Sequence, residues 1–511
     1  MATIQLDHKA ANVCAYCRVR KQRCDRSLPR CQRCAAKGRE CDYSPVIDTR
    51  NPEPEPLFVE QGDCGSDLSY RGKEELLHAV DEWMSGVPGS WNRLLELVHE
   101  VLDLAEVSVA EIVDEFTWGI QRWLPVVDPD QILAGVQLPP VLLLSIFLIT
   151  RKPCGHGEHA KRGTLYETVK QMLVLLQGLN DTYIEFVQAG IILAMYEVGH
   201  GMARRAHLTL GTCITMLNLE GPHLLSGNWE LYNTPLRIRV AALVLDRIIP
   251  ICTPTVNIPL LCPTTHPITK SVSLALSASS PIPPLSHDPV KKPSRKLQIQ
   301  AQVALGTGRA LQYIYALQHD DPDHETYEEV ERHATEVVQL MVGKQEGHSW
   351  FMCDAVAMSF SALILLHQSR ITHPPTPDLD LERTDLRTQL ALKYSRRMAW
   401  DMCSVAMTKV AREPKIESLP FAGLACVWRA AVVVAETSSM GGFGERGGVF
   451  REVDLDDEEV EEMGGREVGV GDVTGIIPVL RRFEGRWGVG EVFRKGIEDV
   501  LMRDVFMDVD L

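Results

Sequence analysis

Apolar residues recur at three- and four-residue intervals along most of this chain, and that spacing predicts one helix after another. Leu94, Leu97, Val98, Val101 and Leu102 share one face of a helix over 91–104. A shorter helix over 74–84 precedes it and is closed by Gly86 and Pro88. Ser108 and Glu111 form a capping-box pattern ahead of Ile112, Phe116, Ile120 and Leu124, a run that Pro125 stops. Thr182 and Glu185 repeat the device before 184–195, which is apolar almost all round and belongs at the centre of a helical core. A further helix over 206–219 stops at Gly221 and Pro222. Period-two alternation is sustained nowhere, so the body is expected to be all-α. The longest apolar run, 136–150, holds Pro139 and Pro140 and is shorter than the roughly eighteen residues of a membrane span, so a soluble chain with no membrane partner is expected.

Composition breaks this pattern in three places. Residues 42–73 are polar and proline-bearing around Asn51-Pro-Glu-Pro-Glu-Pro56, which predicts a semi-rigid linker, assigned to 51–90 between a head over 1–50 and a body over 91–511. Residues 263–296 are rich in Ser, Thr and Pro and read as a disordered loop. Its basic end, Lys291 to Lys296, fits either a nuclear localisation signal or solvated linker charge. A second loop is expected near 438–472. Within it, Glu452 to Glu462 interleaves acids with Val453, Leu455 and Val460, as coactivator-binding segments and charged surface loops both do.

Charge and cysteines then single out the head. The 511 residues carry a net charge of −16, yet residues 1–41 alone carry +7 and the rest −23. Only the head can be a nucleic-acid footprint. Within it stand Cys14, Cys17, Cys24, Cys31, Cys34 and Cys41, a Cys-x2-Cys-x6-Cys unit followed by a copy of itself. A CxxC turn brings two thiolates to one zinc, and zinc takes four soft ligands in a tetrahedron. Six cysteines complete two such sites only if two sulfurs bridge both ions. A plain zinc ribbon would use Cys14, Cys17, Cys31 and Cys34 and leave Cys24 and Cys41 idle. A disulfide framework has no signal peptide to support it, and the other eight cysteines are scattered singly among apolar segments. So short a segment cannot bury enough apolar surface to fold alone, so metal is expected to supply its folding free energy. Arg18, Arg20, Lys21 and Arg23 lie between Cys17 and Cys24, a run with no breaker that predicts a short cationic helix suited to a major groove.

The stretch from Cys14 to Cys34, in spacing and in basic residues, resembles the fungal zinc binuclear cluster (Zn2Cys6) transcription factor family. The resemblance implies two Zn2+ per chain, with Cys14 and Cys31 bridging. It implies that Lys21 reads guanines of a CGG-type triplet, that Arg18, Arg20 and Arg23 flank it on double-stranded DNA, and that Pro29 is the loop proline between the halves, where the family has a cis bond. Asp114 to Val127, Leu165 to Lys170, Gln188 to Gly201, Leu245 to Arg247 and Leu480 to Leu501 are similar to that family's middle homology domain. Between Asn233 and Val244 a tryptophan pair common in relatives is absent. The implied fold class is a small Zn2Cys6 DNA-binding domain, a linker and a large all-α regulatory domain. The implied function is RNA polymerase II regulation in the nucleus, for a pathway-specific regulator of a specialised-metabolite gene cluster. No multi-heptad zipper follows the cysteines, so a homodimer stays open, as do coactivators.

Catalysis has no candidate machinery. Gly442 to Gly447 matches GxGxxG formally but lacks a parallel-sheet unit around it. Cys154 to His159 reads as a loop, and His200 as a cap or core histidine. An enzyme is not expected. The reading from a different class is a zinc-dependent interaction protein whose basic head binds nucleic acid without sequence preference.

Overall fold

Helices form where the apolar spacing places them, and those without a polar face lie innermost. A computed structural model describes residues 10, 13–41, 43, 57–60, 66–127, 138–151, 163–177, 184–219, 234–253, 257–278, 292–319, 321, 325–342, 353–372, 398–408, 410–412, 419–438 and 470–507. The chain divides into two units, Met1–Pro56 and Leu57–Leu511.

The larger unit is helical. Pro140–Thr150, Ile184–Gly199 and Thr234–Ile251 are buried along nearly their whole length; the first two are apolar almost all round, whereas the third also buries Arg237, Arg239, Asp246 and Arg247. Pro140 sits in the first turn, where a missing N–H costs nothing. The first of these helices packs on the second, and the second on the third. Ser90–Leu104, Val109–Gly119, Thr164–Leu176 and Ala203–Leu219 lay apolar stripes on them. Lys292–Gln318, Cys353–Thr372, Phe421–Ser438 and Val489–Met507 continue one contiguous core. At Ser108 the expected capping box forms, with Ser108 Oγ accepting from Glu111 N at 3.2 Å and Glu111 Oε2 accepting from Ser108 N at 2.8 Å. Among the described residues no helix is long and apolar enough to cross a membrane.

Buried polar groups tie distant segments together. Arg429 donates to the carbonyls of Ile251 at 2.8 Å and Thr253 at 2.6 Å, closing the C-terminal end of a core helix. Burial holds its guanidinium down to about 10. Arg486 does the same for Pro140–Thr150, donating to the carbonyls of Ile149 and Arg151. Tyr327 and His367 meet at 2.9 Å and join Tyr327–Val342 to Cys353–Thr372. His200 is a core residue, its Nδ1 bonded to the Tyr196 carbonyl at 2.8 Å and its ring against Trp487.

Three expectations need correction. Of the linker over 51–90, Phe58–Glu60 and Ser66–Leu68 form an antiparallel strand pair, Phe58 opposite Leu68, and the first helix starts at Tyr70, not 74. Buried Leu57 and Leu68 anchor that pair, and Ser69 caps the helix by accepting from Gly72 N at 3.0 Å. Gly72 is required there, because a Cβ would lie 2.4 Å from the Leu57 carbonyl oxygen. The helix expected through Leu124 ends at Gly119, where Gln121 turns inward and its Oε1 accepts from Val126 N and Val127 N. The Ser/Thr/Pro-rich stretch 263–296 holds a helix, Pro267–Ala278, and the start of another, Lys292–Gln318. The closing segment over 480–501 falls in two helices, Ile477–Glu484 and Val489–Met507, with fully buried Trp487 between them. Residues 279–291, 154–159, 442–447 and 452–462, and with them the basic tail's Lys291, lie outside the described residues, as does Thr182.

Candidate metal centre and nucleic-acid interface

The head folds twice by one device. Its first helix, Ala15–Val19, is closed by a bond from Gln22 N to the Cys17 carbonyl at 2.8 Å, with Lys21 left-handed at φ 50. Its second, Gln32–Ala35, is followed by Arg39 N bonding to the Cys34 carbonyl at 3.0 Å, with Gly38 left-handed at φ 63. Both are the six-to-one closure in which a left-handed residue satisfies a helix's orphan carbonyl. The offset between the halves is 17 residues, the same that carries Cys14 onto Cys31 and Cys17 onto Cys34. This closure corrects one expectation: the cationic helix does not fill the interval from Cys17 to Cys24 but ends at Val19, and Lys21 and Arg23 lie on the turn and extended chain beyond it.

The repeat brings all six sulfurs together. They form two groups of four, Cys14, Cys17, Cys24 and Cys31, and Cys14, Cys31, Cys34 and Cys41, in each of which the sulfurs lie within 4.8 Å of one another. Cys14 and Cys31 belong to both. Within the groups, separations run from 3.7 Å for Cys14 and Cys34 to 3.9 Å for Cys14 and Cys31. A tetrahedron with Zn–S near 2.3 Å has sulfurs about 3.8 Å apart, so the donor set fits zinc. A four-cysteine ribbon would leave Cys24 and Cys41 aside, whereas each completes one group.

Charge at the sulfurs is managed locally. Burial pushes the Cys14 thiol up to about 12 and Cys31 further still. Burial also works against ionisation of Cys41, but Cys31 N donates to its sulfur at 3.2 Å, and the thiol sits at about 7. The loop between the halves is held by residues that the spacing does not reveal. Asp25 accepts from Gln32 N at 3.0 Å and from Ser27 Oγ at 2.5 Å, and Tyr43 donates to the Ser27 carbonyl at 2.6 Å. An Asx-type pattern at Asp25 and Ser27 was the available signal. Pro29 follows Leu28 through a cis bond.

Outside this sulfur core the surface is cationic. Arg20, Lys21, Arg23, Arg26, Arg30, Arg33, Lys37 and Arg39 are all exposed, and Arg18 lies on the first helix. Tyr16, half-buried against the sulfurs, has the guanidinium of Arg20 5.1 Å and that of Arg39 5.0 Å from its ring centroid.

The head is thus a six-cysteine metal-binding core, with Cys14, Cys17, Cys31 and Cys34 buried, beneath a cationic surface. Residues 12–50 match the Fungal Zn(2)-Cys(6) binuclear cluster domain, a domain that takes two zinc ions through six cysteines. The chain is 51% identical over 41 residues to the "Depudecin biosynthesis cluster-specific transcription activator DEP6" of Fusarium langsethiae, covering 8% of this chain and 7% of that protein. It is 26% identical over 114 residues to the "Transcription factor BOA15" of Botryotinia fuckeliana, covering 21% of this chain and 63% of that one. The chain thus spans less than two thirds of either relative. No solved structure gives a significant match.

Proposed function

We propose that this chain is a sequence-specific DNA-binding transcription regulator whose zinc cluster reads CGG-type triplets. The observation that carries the reading is the partition of six cysteines into two groups of four sharing Cys14 and Cys31, beneath exposed Arg20, Lys21 and Arg23. In this reading Cys14 and Cys31 bridge two zinc ions, and Cys17 and Cys24 complete one site while Cys34 and Cys41 complete the other. Lys21 donates to guanine edges, and Arg18, Arg20 and Arg23 contact flanking bases or phosphates. Pro29 shapes the loop that joins the halves.

The helical unit is the regulatory one, a middle homology domain acting on RNA polymerase II transcription in the nucleus, through coactivators and with self-association as a further partner. Both matched relatives are transcription factors by description, and one is specific to a biosynthesis cluster. That supports a pathway-specific role at a specialised-metabolite gene cluster. The test is selection from a random DNA pool by the zinc-loaded full chain at physiological salt. Enrichment of CGG-type triplets is the expected result. Salt-sensitive binding without enrichment would instead identify a nonspecific nucleic-acid-binding interaction protein.

A further inference from the structure

Two arginines from opposite halves of the head converge on one aromatic ring. Arg20 is the first residue beyond the first helix, four positions after Tyr16, and its guanidinium lies over the Tyr16 ring. Arg39 arrives from the second half, its backbone pinned by the bond from its N–H to the Cys34 carbonyl at 3.0 Å. The Tyr16 ring is itself fixed, because it packs on the sulfur cluster. Both guanidinium groups stand about 5 Å from the centroid of this packed ring, 5.1 Å for Arg20 and 5.0 Å for Arg39. The electron-rich ring attracts each of them. Neither is paired with a carboxylate among the described residues, and both are exposed. Like charges gathered on one ring, with no carboxylate partner among the described residues, make a site for an anion.

We propose that Arg20 and Arg39 form a clamp for a single backbone phosphate of the bound duplex, with Tyr16 as its positioning residue. The inference rests on the DNA-binding reading above and deepens it. Guanidinium forks suit phosphate oxygens, and the clamp joins both halves of the repeat to one strand, fixing the angle at which the first helix meets the groove. A phosphate contact carries no base information, so its loss weakens all sequences alike.

The experiment uses the full chain loaded with zinc, a duplex that this chain enriches from a random pool, and a scrambled duplex of equal length. Binding is measured across a salt series, and zinc content is measured for each variant. Arg39→Gln is expected to weaken both duplexes by a similar factor, about tenfold, and to make the slope of log K against log salt shallower by about 0.9. Tyr16→Phe should bind as the parent does, since the ring remains. Tyr16→Leu should reproduce the shallower slope while holding two zinc ions. If Tyr16→Leu loses zinc, Arg39→Gln decides the clamp and Tyr16→Phe decides the ring. An unchanged slope in Arg39→Gln overturns the clamp. An unchanged slope in zinc-loaded Tyr16→Leu, or a weakened Tyr16→Phe, overturns the positioning role. A parent chain that holds two zinc ions yet enriches no sequence defeats the underlying reading instead.

Discussion

Lys21 occupies a backbone position that its copy, Gly38, fills with glycine. A side chain in the left-handed region costs about 1 to 2 kcal/mol, so this lysine is tolerated against a local preference. Lys21→Gly removes that strain but adds roughly 0.4 to 1 kcal/mol of unfolded-state freedom. The variant is therefore expected to melt within about 1 kcal/mol of the parent when zinc-loaded, while losing about 1 to 3 kcal/mol of discrimination between a CGG-type and a scrambled duplex. Thermal unfolding and competition binding measure the two effects separately. The cysteines divide differently. Cys31 lies in both groups of four and Cys41 in one. Cys31→Ala is expected to lose both zinc ions and the fold of the head, whereas Cys41→Ala should retain one. Native mass spectrometry counts the ions; a Cys31→Ala protein that keeps one tight zinc would refute the shared-ligand assignment.

At the scale of elements, the contact between Tyr327–Val342 and Cys353–Thr372 has a pH dependence with a definite sign. Burial lowers His367 from 6.5 to about 4, against a Glu331 carboxylate 3.8 Å away that favours the charged form. Desolvation wins because the His367 side chain is only 6% exposed, whereas Glu331, at 36%, keeps part of its hydration and is screened. The folded state thus binds its proton less readily than the unfolded state. The contact's full stability is present above pH 6.5 and is lost as pH falls towards 4, with an upper bound of about 3 kcal/mol. Denaturant melts at pH 7 and pH 4.5 should show this loss in the parent, and less of it in His367→Leu.

These elements also show what was legible in the residue order. Helices with a strong apolar signal, periodic over 91–104 and nearly continuous over 184–195, stand where the pattern puts them. The cysteine cluster was legible because ligand spacing is a local property. The strand pair at 58–60 and 66–68 was not, because strands of three residues are too short to show alternation. Pro267–Ala278 hid within Ser, Thr and Pro, its helix secured by burial of Ile268 and Val272 rather than by propensity. Likewise, only the tertiary setting turns Gln121 inward and ends its helix early. The closure at Lys21 escaped because a lysine gives no sign of a left-handed backbone.

On the scale of the whole molecule, the two units fold on different terms. The Met1–Pro56 unit has four buried cysteines as its core cluster, whereas the larger unit owns a continuous apolar core. Chelation of zinc is expected to abolish DNA binding and unfold the head while leaving most of the far-ultraviolet helical signal intact. Titration with a chelator, followed by circular dichroism and binding in parallel, checks this; a matching collapse of helicity would show that the units are not independent.

The doubled head has one further consequence. Two halves closed by the same turn would make an object with no front or back, but a lysine in one and a glycine in the other give it a heading. On the proposed reading, a module with a heading reads its triplet in one strand sense only. Flipping a site end for end within a promoter is then a change of message rather than a change of position.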